Sequence, residues 1–133
     1  MIEIEVLGAD VASAAPSGEE VQRLCALALA AAGIERGHLA IEYVDAGRIA
    51  ALNLEHRGKR GPTDVLSFPI DGTDDVADGV PVELGDIVIC PQHTVDLREA
   101  ILHGVLHLVG MDHETDEGEM LALQAELLAW ETA

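Results

Sequence analysis

His103-Gly104-Val105-Leu106-His107-Leu108-Val109-Gly110-Met111-Asp112-His113 gathers three of the chain's six histidines into one run. Four residues on an α-helix return to nearly the same face one turn later, so His103 and His107 can aim their imidazoles at one point. Gly110 stands where that helix should stop. Lacking a Cβ, it can take the left-handed conformation, reverse the chain and bring His113 back as a third ligand. Three imidazoles suit zinc, and they leave a coordination position open, as catalytic zinc sites do. One Zn2+ per chain on His103, His107 and His113 is the expected cofactor. The spacing H-x-x-x-H-x-x-G-x-x-H is that of metzincin proteases, but Gly104 replaces the glutamate that serves them as general base. Ordinary peptide hydrolysis is therefore disfavoured.

Outward from this run, the chain reads as strands mixed with helices. Ile2, Ile4 and Val6 alternate with Glu3 and Glu5, the period of a half-buried strand over residues 2–7. Ser17-Gly18-Glu19-Glu20 resembles a capping box before an Ala/Leu-rich helix to Ala32, with a stop at Gly33. A second strand is expected over Leu39–Val44, and a short helix from Ala46 to Leu54 ending near Gly58. Val65–Phe68 and Leu84–Cys90 give the third and fourth strands, a hairpin-like pair. Asp71–Pro81, with four aspartates, reads as a solvated loop. Pro91 fits the first turn of the helix that runs to about Val109. A last helix from about Asp116 to Glu131 sets Met120, Leu123, Leu127 and Trp130 toward the core. The expected fold is α/β (α+β): one mixed sheet of about four strands covered by helices in the order βαβαββαα, with a zincin-like three-histidine metal site. Residues 1–133 are expected to form a single domain.

A chain of 133 residues can bury one sizeable core without disulfide staples. Cys25 and Cys90 lie far apart with no C-x-x-C partner and read as buried thiols. The apolar runs fall short of the about 20 residues that span a bilayer, so no membrane partner is expected. The first residues do not have the pattern of a signal peptide, and a cytoplasmic location is expected. Seven basic against 25 acidic residues leave a formal charge of −18, which opposes nonspecific adhesion to nucleic acid. Any phosphate contact must then be local. Arg57, Lys59 and Arg60 hold three of the seven basic residues within four positions.

The histidine run, Arg57-Gly58-Lys59 followed by Pro62-Thr63-Asp64-Val65-Leu66-Ser67-Phe68-Pro69, and Leu84-Gly85-Asp86-Ile87-Val88-Ile89-Cys90 together resemble the YbeY family of bacterial rRNA maturation factors, over most of the chain. The resemblance implies a zinc held by the three histidines and a functional arginine at Arg57. It further implies a single-strand-specific endoribonuclease acting on rRNA precursors, with the ribosome or its small subunit as partner. Two features depart from the family pattern: His56 stands where many members carry tyrosine, and the chain is unusually acidic. Chemically, a three-histidine zinc lowers the pKa of its water to about 7, so hydroxide can attack a phosphodiester without a carboxylate base. Arg57 would stabilise the added negative charge through forked hydrogen bonds, and Lys59 and Arg60 would hold the RNA backbone. Asp112 could either orient an imidazole or cap the turn. The competing readings are a ribosome-assembly factor with a structural zinc and a metal hydrolase of another substrate.

Overall fold

The structure, a computed structural model, describes residues 2–12, 15–70, 82–112 and 114–132. Among them, strands β1 (Ile2–Leu7), β2 (Gly37–Tyr43), β3 (Val65–Pro69) and β4 (Glu83–Ile89) form one sheet in the order β1-β2-β4-β3. The first three of these neighbours run parallel, and β3 pairs antiparallel with β4. The expected mixed sheet and hairpin-like pair are thus present. The proposed loop Asp71–Pro81 lies outside the described residues.

Each helix begins where a side chain can satisfy its orphan backbone N–H groups. α1 (Gly18–Ala31) is capped by Ser17, whose Oγ accepts from the Glu20 N–H at 3.2 Å. α2 (Ala46–Arg57) is capped by Asp45, which accepts from the Arg48 N–H at 2.8 Å. It closes on Gly58 at φ 67°, where Gly58 and Lys59 donate back to the Leu54 and Asn53 carbonyls. α3 (Leu97–Leu108) starts later than the sequence suggests. Pro91 opens only a short 3-10 turn, Pro91–His93, and Asp96 caps the true helix by accepting from the Arg98 and Glu99 N–H groups. α4 (Glu119–Thr132) likewise waits for Gly118, at φ 103°, and for Asp116, which accepts from the Met120 N–H.

One sheet face, with Leu39, Ile41, Tyr43, Ile87 and Ile89, packs under α1 and α3 in an aliphatic core that Met120 and Leu127 of α4 complete. Leu84 joins this core although it is three residues from Ile87. The register slips between His38 and Leu39, which makes Leu84 an extra residue, a bulge that puts both side chains inward. Gly85 follows at φ 145°, and a Cβ there would collide with the Phe68 carbonyl. The opposite face is covered only in part, by α2, through Ile49 and Leu52 against Leu66, Val88 and Cys90. Trp130 is not a core residue: it is 70 % exposed. The inward stripe of α4 runs through Met120, Gln124, Leu127 and Glu131, and the carboxylate of Glu131 accepts from Arg23 Nε of α1 at 3.1 Å.

Candidate metal and phosphate cleft

α3 is nearly submerged. Ala100, Ile101, Leu102, Gly104, Val105, Leu106 and Leu108 are buried, while His103 and His107 form a half-buried stripe one turn apart. Both face a cleft of about 790 Å³. Its other walls are β3, the last turn of α2 with His56 and Arg57, and the turn from Gly110 to Glu114.

The orientation of the two rings is set from behind. His107 Nδ1 lies 2.9 Å from the Met111 carbonyl, which can only accept, so Nδ1 carries the proton and donates. Gly110, at φ 96°, makes the turn that brings this carbonyl round. His103 Nδ1 donates in the same way to Gln124 Oε1 of α4 at 2.8 Å. A neutral imidazole that donates from Nδ1 offers a lone pair at Nε2. The two Nε2 atoms stand 3.0 Å apart. Two imidazole nitrogens this close on one cleft wall are placed to share a cation. Zinc–imidazole bonds of about 2.0–2.1 Å at tetrahedral angles would separate two such nitrogens by about 3.3 Å, so the pair fits a metal with a small adjustment. Nδ1 partners of this kind recur behind metal-binding histidines. Among the described residues no group of three ligating side chains occurs, and His113, the expected third ligand, lies outside them.

Arg57 is exposed and lines the same cleft as the two histidines. Lys59 and Arg60 are exposed on the loop after α2 and are not among the residues lining it. Arg23 and Arg98, by contrast, tie helices together, pairing with Glu131 and Glu20. Of the two roles open to Asp112, the turn is the one observed, with Oδ1 accepting from the Glu114 N–H at 2.9 Å. Ser67 Oγ donates to the Gly104 carbonyl at 2.9 Å, joining β3 to α3 at the cleft wall. Asp64 holds the start of β3 by accepting from the Val65 N–H at 2.8 Å.

Gln124 is the residue that sequence reasoning did not single out. Its signal was present: a polar residue four positions after Met120 and three before Leu127, inside the apolar stripe of α4. Gly104 also acquires a reason. A Cβ there would lie 2.6 Å from Ile87 Cγ2, so α3 rests on β4 too closely for any larger residue. The glutamate of the metzincin pattern has no room at this position.

Residues 11–130 match the model of a protein family described as Endoribonuclease YbeY. The chain belongs to this family. An Endoribonuclease YbeY from Acidothermus cellulolyticus is 42 % identical, over 86 % of this chain and 87 % of that protein. Another, from Rubrobacter xylanophilus, is 37 % identical over 94 % and 93 % of the two chains. Among solved structures, the solution structure of TM1509 from Thermotoga maritima matches with a TM-score of 0.54 and 25 % identity, covering 96 % of this chain and 88 % of that one. The family match therefore takes in β2, β3 and β4, the cleft and nearly all of α4, and leaves out β1. No helix among the described residues is long and apolar enough to cross a membrane.

Proposed function

We propose that this chain is a zinc-dependent endoribonuclease that cuts single-stranded RNA during maturation of ribosomal RNA. It would act in the cytoplasm as a single domain on precursors associated with the small ribosomal subunit. The observation that carries the reading is the convergence of His103 Nε2 and His107 Nε2 in a cleft that Arg57 also lines. Its family places the chain among endoribonucleases. A substrate with a phosphodiester suits a cleft bordered by a guanidinium better than a neutral peptide does.

His103, His107 and His113 would hold the metal, with Gln124 and the Met111 carbonyl fixing the first two rings. Zinc bound there supplies Lewis acidity and a nucleophile at neutral pH. Arg57 would fork two N–H groups onto the non-bridging phosphate oxygens and stabilise the charge that builds on them. Lys59 and Arg60, outside the cleft, would draw in the flanking backbone where the rest of the surface repels it.

The test is metal content of the purified protein beside His103→Ala, followed by cleavage of a single-stranded RNA with and without chelator. The expected result is about one zinc per chain, lost in the variant together with chelator-sensitive cleavage. Arg57→Ala should retain zinc and cut at least about a hundredfold more slowly, as removal of a charge-stabilising donor does. Bound metal without cleavage would favour the assembly-factor reading, and an apo wild type would end the metal reading.

A further inference from the structure

His56 and Phe68 border two hollows at once. Both line the cleft of His103 and His107, and both line a second groove of about 420 Å³ between α2 and the open face of the sheet. Their rings stand edge to face, with centroids 4.8 Å apart and planes at 63°. Phe68, the chain's one phenylalanine, packs against the small cluster of Ile49, Leu52, Leu66 and Val88 under α2 and stays half-buried at the shared rim. The His56 side chain is 45 % exposed, so Phe68 covers part of its ring and solvent meets the rest. On the far side of the pair the groove floor is apolar, with Leu52 and Val88, and Glu42 and Asp86 line it together with Arg48. Two carboxylates repel a phosphate there but leave a neutral base indifferent.

We propose that the His56–Phe68 pair is a nucleobase platform, on which the base next to the phosphate held at Arg57 stacks as it turns toward the second groove. The proposal rests on the RNA-cleaving reading and names the part of the substrate taken by a surface which that reading leaves unused. His56 and Arg57 are consecutive on the last turn of α2, which Gly58 closes, and the ring and the guanidinium both line the cleft of His103 and His107. That matches the chemistry of a nucleotide, an apolar face joined to an anion. Stacking accepts any base, as cutting within varied single strands requires.

The experiment uses RNA oligonucleotides with 2-aminopurine, or an abasic residue, at each position flanking the cleaved phosphate, added to zinc-loaded wild type, His56→Ala and His56→Tyr. At one position beside that phosphate, wild type should quench the 2-aminopurine and lose about 5- to 150-fold in kcat/KM on the abasic strand, the range expected for one stacked base. In His56→Ala the quenching should vanish and the two strands should be cut equally, while His56→Tyr, which restores a ring, should recover the preference. Equal cleavage of intact and abasic strands by wild type at every position overturns the platform. So does a His56→Ala defect that leaves the preference intact. Failure of the underlying reading looks different: quenching without cleavage keeps the platform and loses the nuclease, whereas zinc-dependent cleavage without base dependence does the reverse.

Discussion

Gly104 decides how near α3 can come to the sheet. Ile87, whose Cγ2 would meet an added Cβ at 2.6 Å, is fully buried and branched at its own Cβ, so it has little freedom to yield. Gly104→Ala should therefore destabilise the fold by about 1–3 kcal/mol despite the better helix propensity of alanine, which recovers at most about 1 kcal/mol. Urea unfolding checks this, and a variant as stable as wild type would show that α3 can lift off β4 freely. A second residue makes a pH-dependent contribution. His38 Nδ1 donates to Glu83 Oε2 at 2.8 Å, and its Nε2 lies 3.8 Å from Glu5. The hydrogen bond to Glu83, with the charges of Glu83, Glu5 and Glu3, raises its pKa against a smaller opposing effect of burial. Because the folded value lies above the unfolded one of about 6.5, the stabilisation is fully present below about 6.5 and is lost as pH rises through the folded value. The stability gap between wild type and His38→Gln should therefore shrink as pH climbs through that range. A proton NMR titration of His38 at or below its ordinary value would refute the ion-pair account.

At the scale of elements, legibility followed side-chain chemistry. The Ile2/Glu3/Ile4/Glu5 alternation, the Ser17 cap and the Gly58 stop are local signals, and each marks an element where it was expected. The start of α3 is less legible: Pro91 is acceptable in any first turn, whereas Asp96, a better cap five residues on, competes successfully for the helix N–H groups. Trp130 turns outward, against the expectation from its apolar character. Gln124 and Glu131 occupy the inward stripe of α4 through bonds to His103 and Arg23, which no pattern of hydrophobicity reveals. The pairing of His103 with His107 was legible from helix spacing, and their Nδ1 partners were not, since both come from outside α3. α4 accordingly acts as a brace for the cleft. Gln124→Leu keeps the volume and removes the acceptor, and should weaken zinc binding by about 10–100-fold, measured by competition with a chelating dye. Unchanged affinity would mean that the His103 ring is oriented by other contacts.

For the whole molecule, a formal charge of −18 on 133 residues is a standing cost of compactness. Added salt shortens the reach of that repulsion from about 30 Å at 0.01 M to about 3 Å at 1 M. The melting temperature should rise across this interval, and a flat or falling curve would show that attractive pairs such as Arg98–Glu20 outweigh the repulsion. The same charge explains why composition argued against nucleic acid while the cleft argues for it: the balance is global, and Arg57, Lys59 and Arg60 are gathered at one end of α2. Cys25 supplies an internal gauge of the fold. Burial pushes its thiol up to about 12, so little thiolate exists in the native state near neutral pH. Thiol reagents should label native protein slowly, at a rate that tracks unfolding, and fast labelling of Cys25 would indicate a looser core.

The dependence of the His103 ring on Gln124 has a consequence in time as well as in space. During synthesis the sheet order places β4 between β2 and β3, so the sheet can close once β4 has emerged, before His103 and His107 have been made. His103 and His107 follow on α3, and their orientation waits for Met111 and then for Gln124. A growing chain thus carries its arginine-bearing helix and its sheet for some time as an inert platform. On the proposed function, the site would be complete only once α4 has docked and Gln124 has met His103.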